Sequence, residues 1–175
     1  MVGFTSTVNR MSAGKLTPSS FRVARPVSQI PASLRFYVDI LGRERLGGFA
    51  GHDGYDGVFV GRPGSDWHIE FTSHESGMPA PTPTEEDLLV FYVSEDQLQA
   101  TVSSLVQAGI GLIRHENPYW AKVGSVACRD PDGYLVIVCP QSGRSSYAEN
   151  PHETVTSPDR NDEMIDPRSL ARSIE

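Results

Sequence analysis

One order of segments occurs twice in this chain, and that repetition limits the fold more than any other feature. An apolar run at residues 21–27 is followed by a helix-like stretch at 30–42 and then by three strand-like runs. The order returns with an apolar run at 88–93, a helix-like stretch at 97–108 and strand-like runs before Cys139. Val27 and Val93 close the first runs, Gly42 and Gly109 follow the helices, and Glu70 and Ile137 fall in the last strands. The offsets are 66 to 67 residues, longer than the repeat units of a solenoid. The repetition predicts an α+β fold built from a duplicated βαβββ module.

Local chemistry sets the elements. Pro31 suits a first helical turn and Gly42 the position after the last, while Ile30, Leu34, Tyr37, Val38 and Leu41 share one apolar stripe. Strands are expected at 44–51 and 57–61, joined through His52-Asp53-Gly54-Tyr55-Asp56-Gly57, whose two Asp-Gly pairs favour a hairpin. A fourth strand at 66–72 turns Trp67, Ile69 and Phe71 to one face and His68, Glu70 and Thr72 to the other. The apolar set should pack on the helix, leaving the polar set to line a cleft. Residues 73–86, with three prolines between Met78 and Pro83, form a linker between modules at about 21–72 and 87–139. The second helix opens on a capping box, Ser94 with Gln97, and carries a stripe of Leu98, Val102, Leu105 and Val106. A strand at 109–114, a loop from His115 to Trp120 and two strands at 123–128 and 134–139 should follow. The turn Asp130-Pro131-Asp132-Gly133 joins the last two.

Charge and composition exclude several classes. Residues 21–140 hold 9 Lys+Arg against 15 Asp+Glu, so the folded part repels phosphate backbones and nucleic acid is not an expected partner. No apolar run approaches the roughly 20 residues that span a bilayer, and the N-terminus lacks a secretory apolar core. Two cysteines, Cys128 and Cys139, both in strand-like runs, fit buried thiols in a reducing, cytoplasmic compartment. Residues 1–20 contain no acidic residue and read as a flexible leader, ahead of the alternative of a transit peptide, which two basic residues support thinly. Residues 142–175, rich in Ser, Pro, Asp, Glu and Arg, read as a disordered tail.

Between residues 21 and 141 the sequence resembles the vicinal oxygen chelate superfamily, which includes glyoxalase I, extradiol dioxygenases and bleomycin-resistance proteins. The resemblance rests on Phe36-Tyr37 followed by Leu41-Gly42, on Asp130-Pro131-Asp132-Gly133 and on the duplicated module. Together with His52 to Gly57 and Asn117-Pro118-Tyr119-Trp120, it points to an uncharacterised glyoxalase-like branch. It implies an eight-stranded open cup and, in metal-dependent members, one ligand on the first and one on the last strand of each module. Those positions hold Arg22, Leu88, Glu70 and Ile137 here. Arg offers no lone pair and Leu and Ile no donor atom, so one ligand of four survives and the usual octahedral site cannot form.

Two functions from different classes follow. The first is a metal-independent small-molecule-binding protein, with ligand sequestration or resistance as one version and no cofactor. Its cleft would be polar at Arg22, His68 and Glu70 and apolar at Leu88, Val90, Leu135 and Ile137, suiting an amphipathic ligand, with the acidic body favouring a cation. The second is a lyase or dioxygenase with a relocated divalent metal on Glu70, His68 and His52, in which Glu70 and His68 act catalytically. Tyr92 shares the cleft face by alternation. Tyr119 and Trp120 are either a stacking wall for ligand or a cap on the core. An ion pair between Arg22 and Glu70 is expected where the family's metal would lie. His52, His74 and His115 read most simply as turn or exposed loop residues, and a homodimer is expected by resemblance.

Overall fold

The computed structural model describes residues 18–142. The leader expected over 1–20 and the tail expected over 142–175 lie outside the described residues, apart from 18–20 and 142. In chain order the elements are β1 (Phe21–Pro26), α1 (Ile30–Leu34), which runs on as a wider π-helical stretch (Arg35–Ile40), β2 (Glu44–His52), β3 (Tyr55–Gly61) and β4 (Trp67–His74). Then come β5 (Leu88–Val93), α2 (Glu95–Gln107), α3 (Pro118–Lys122), β6 (Val126–Arg129) and β7 (Leu135–Pro140). They form one sheet ordered β1-β4-β3-β2 and another ordered β5-β7-β6. In each module the first strand lies parallel to the last, β1 beside β4 and β5 beside β7, and the other pairs are antiparallel. This is the duplicated α+β module expected from the sequence.

The eighth strand is reduced to one bridge, Ile113 with Ala127. Gly109 and Gly111 give residues 109–114 few side chains to pack, and Leu112 and Ile113 remain exposed, so nothing holds a full strand there. The first helix also differs from a plain amphipathic helix. Leu41 N–H bonds to Phe36 O, five residues back, which widens the last turn before Gly42 leaves it at φ +65°. The widened turn delivers Phe36 and Tyr37 to the core, at 3% and 0% exposure. The Ser94–Gln97 capping box forms as expected. Leu98 and Leu105 of α2 are buried, but Val106, placed in the same stripe from the sequence, is exposed; it is one residue past Leu105 and so about 100° around the helix.

A shared core lies between the modules. Ile69 and Phe71 of β4, Val58 and Val60 of β3, and Phe36, Tyr37 and Leu41 meet Leu105, Cys128 and Val136 from the second module, with Trp67 packed beside them. The Tyr37 and Phe71 ring centroids are 4.8 Å apart, so the strand register inferred from alternation holds. Arg25 sits on the same face of β1. Its guanidinium pairs with Asp130, donates to Tyr37 Oη at 2.7 Å, and lies 4.0 Å over the Tyr134 ring. Tyr37 in turn donates to Asp130 Oδ2 at 2.8 Å. Asp130 Oδ1 accepts the backbone N–H groups of Asp132 and Tyr134. The Asp-Pro-Asp-Gly segment is therefore more than a turn, because its first carboxylate ties β1 and α1 to the β6–β7 connection.

Candidate functional site

With the apolar faces of both sheets turned inward, each sheet keeps one further face, and the two differ. On the first sheet, cross-strand pairing aligns Arg22 with His68 and Gly61, Ala24 with Glu70 and Phe59, and Pro26 with Thr72 and Gly57. Arg22 Nη1 donates to Glu70 Oε2 at 2.5 Å, with the two side chains 57% and 7% exposed. The expected ion pair thus forms, with its carboxylate buried and its guanidinium reaching solvent from the edge strand. His68 lies beside this pair and contacts the Phe59 ring, centroids 5.2 Å apart. Phe49 follows, 6.0 Å from Phe59.

Those two phenylalanines were not among the residues singled out from the sequence. Glycines opposite them explain their posture. A Cβ at Gly57 would lie 2.3 Å from Phe49 Cζ, and one at Gly47 would lie 3.4 Å from Phe59 Cδ2. Each ring therefore rests over a glycine backbone and stays half-buried. The signal was present in Gly57-Val58-Phe59-Val60-Gly61, where alternation sets Phe59 against the two buried valines.

The second sheet's corresponding face is covered. Ala127, Ile137 and Cys139 are buried there, with Leu88, Val90, Trp120 and Val123 packed on them. Ile137 is 0% exposed. Ile137, expected with Leu88 to line the apolar half of an open cleft, is sealed instead, with Trp120 of α3 and a half-buried Leu88 packed on its cluster. The α3 segment was expected to be loop. It coils because Asn117 Oδ1 accepts the Tyr119 N–H at 2.9 Å and Pro118 occupies the first turn. Trp120 takes the core-capping role, held by Ser125 Oγ donating to its carbonyl at 2.6 Å, while its Nε1 is buried without a partner. Tyr119 packs edge-on against Trp120, 5.1 Å between centroids. Tyr92, on the same face of β5, is 36% exposed.

The relocated metal set is not assembled. Among the described residues no three His, Cys, Asp or Glu side chains are grouped to hold a metal ion. His52 sits in the β2–β3 hairpin with its side chain 80% exposed. A cationic guanidinium bonded to the one suitable carboxylate, with Leu88 and Ile137 at two further ligand positions, does not fit a divalent cation. The other histidines also have partners. His74 Nδ1 accepts the Ser76 N–H at 3.1 Å, and its ring meets Tyr55. His115, read as an exposed loop residue, is 7% exposed. Its Nδ1 accepts the Asn117 N–H, which leaves Nε2 to donate to Glu85 O at 3.0 Å. It fastens the linker to the loop before α3.

Neither cysteine is placed to react. Burial, with Asp130 nearby, pushes the Cys128 thiol up to about 12, and burial raises Cys139 as well. Among the described residues no helix is long and apolar enough to cross a membrane.

Comparison with known proteins agrees with this architecture. Residues 21–72 match the model of the YycE-like N-terminal domain and residues 86–139 that of the YycE-like C-terminal domain. The chain is 42% identical to YycE of Bacillus subtilis over 128 residues, covering 73% of this chain and 91% of that protein. The crystal structure of YycE superposes with a TM-score of 0.65 over 70% of this chain and 89% of that one. Glyoxalase I of Leishmania major, at 17% identity, superposes with a TM-score of 0.59 over 73% of this chain and 90% of that enzyme, a likeness of fold.

Proposed function

Because the chain belongs to the YycE-like family, a glyoxalase-like branch of the vicinal oxygen chelate superfamily, we propose that it is a small-molecule-binding protein that takes its ligand on the Glu70 face without a metal. The bond from Arg22 to Glu70 carries this reading. A guanidinium in that place supplies the positive charge that a cation would otherwise bring, and removes the carboxylate as a free donor. Beside the pair stand one imidazole and two half-buried phenyl rings, a lining for an amphipathic molecule with a polar end at Arg22 and an apolar body over Phe49 and Phe59. Such a face binds and orients, and holding the ligand away from its target is function enough.

Two further parts of the proposal concern the setting. The protein acts in the cytoplasm and as a homodimer. In support of a second copy, β1 and β5 are each paired on one side only, and Phe21 and Val23 on β1 are 62% and 39% exposed.

Elemental analysis and native mass spectrometry of the purified full chain test the reading. The expected result is substoichiometric transition metal together with a retained small molecule that the Arg22→Ala protein does not keep. A stoichiometric metal whose removal also releases the ligand would overturn it.

A further inference from the structure

We infer that the Glu70 face selects planar aromatic carboxylates, with the ring stacked over Phe49 and Phe59 and the carboxylate held by the outward N–H groups of Arg22. This names the ligand class of the site proposed above and rests on that reading.

Shape decides the first half. Phe49 and Phe59 stand 6.0 Å apart on one face and His68 continues the row. Their rings rest over Gly57 and Gly47, whose missing side chains let them approach the sheet. Ala24, next to Glu70 in the same cross-strand row, is too small to fill the space beside them. A ribbon of half-buried ring surface offers a flat molecule stacking and edge contacts that a flexible chain cannot match at equal area.

Charge decides the second half. Glu70, paired across the sheet with Phe59, is 5% exposed and already bonded by Arg22. The guanidinium uses one nitrogen for that bond and is 57% exposed, so its remaining donors form a fork toward solvent that matches a carboxylate. Glu44 lies in the row of Arg22, His68 and Gly61, but three strands away, roughly 14 Å at ordinary strand spacing. That exceeds a Debye length of about 8 Å at physiological salt, so Glu44 does not cancel the guanidinium charge at the edge of the face.

Calorimetric titration of the full chain with 2-naphthoate, 2-naphthylmethylammonium and octanoate tests the assignment, with thermal unfolding confirming that each variant folds. The naphthoate should bind at least about tenfold more tightly than either other probe. Phe59→Leu and Phe49→Leu keep apolar volume and remove the ring; each should weaken naphthoate about tenfold and octanoate by clearly less than that. Arg22→Gln should abolish the preference for naphthoate over the ammonium. Octanoate binding as tightly as naphthoate, yet needing Arg22, would overturn the aromatic class and leave the binding face standing. Absence of binding by all three probes, while the retained cellular ligand still depends on Arg22, would likewise overturn the class alone. Absence of both would remove the two readings together.

Discussion

Glu70 and Arg22 form one ion pair but occupy unequal surroundings, and the inequality makes a prediction. Arg22→Ala strands a carboxylate whose side chain is 7% exposed and should destabilise the protein by about 1–3 kcal/mol. Glu70→Ala frees a guanidinium that is already 57% exposed, so its cost should stay below about 1 kcal/mol. Urea unfolding of the double mutant should show less than the sum of the two losses; additive losses would mean the pair is not coupled. The pair itself was legible in the sequence, because alternation put both side chains on one face and parallel first and last strands made them neighbours. The asymmetry was not legible, since it depends on β1 being a sheet edge. Cys128 gives a second prediction at this scale. Its thiol is held protonated up to about 12 in the folded chain, against an ordinary value of 9.0. The folded state therefore keeps a proton that the unfolded state releases. The stability this contributes is complete below pH 9 and is lost as pH rises toward 12. Iodoacetamide at pH 8 should leave Cys128 unmodified in folded protein and label it in urea; labelling at equal rates would refute the burial of this thiol.

At the scale of elements, the two modules were readable where their pattern was long and unreadable where it was short. The capping box of α2 and the alternation of β4 each engage several residues that agree. Helix α3 has five residues, too few for a periodicity, and its signal lay in Asn117-Pro118 alone, an N-cap followed by a first-turn proline. Without that helix, alternation alone leaves Ile137 on an open face. The glycines at 109 and 111 weakened the strand expected there, a case where backbone cost outweighed the demand of the repeat. The consequence is an asymmetric molecule, with one sheet face open and its counterpart sealed. Trp120→Ala should unseal it. The substitution removes the ring that packs over Ala127, Ile137 and Cys139 and should cost about 2–4 kcal/mol, somewhat below a fully buried Trp→Ala change because Trp120 keeps some exposure. Alkylation of Cys139 in the folded variant, monitored by mass spectrometry, is the direct readout. A Cys139 that stays as protected as in the wild type would show that something other than α3 covers that face.

At the scale of the whole molecule, the question is whether two similar modules fold as two units or one. Sequence repetition alone favours neither answer. The structure favours one, because the largest core cluster draws on both modules, and Arg25, Tyr37 and Asp130 cross the junction in a buried charged network. Burial holds the Tyr37 hydroxyl well above its ordinary pKa, with Arg25 opposing and Asp130 adding to the shift, so at neutral pH the tyrosine is a donor and Asp130 its acceptor. Asp130→Leu would leave the Arg25 guanidinium, whose side chain is 10% exposed, without its anion, at about 3–5 kcal/mol. Arg25→Met should cost a similar amount by leaving the carboxylate unpaired, and the double mutant should recover much of the loss, because it replaces two buried charges by apolar groups. The chain has two tryptophans, Trp67 in the first module and Trp120 in the second, and each reports locally. Single-tryptophan proteins made by Trp120→Phe and Trp67→Phe can be followed by fluorescence and by far-ultraviolet circular dichroism in the same urea titration. In each protein the two probes should give one midpoint, since neither module can expose its share of the common core without exposing the other's. The same coincidence should persist in Asp130→Leu at a lower midpoint, because that change weakens the junction charge but leaves the apolar contact of Phe36, Tyr37 and Phe71 with Leu105 and Val136. A Trp67 transition that separates from the loss of secondary structure in Asp130→Leu alone would show that the modules then unfold in turn, and that the charged network, rather than the shared apolar core, had been coupling them.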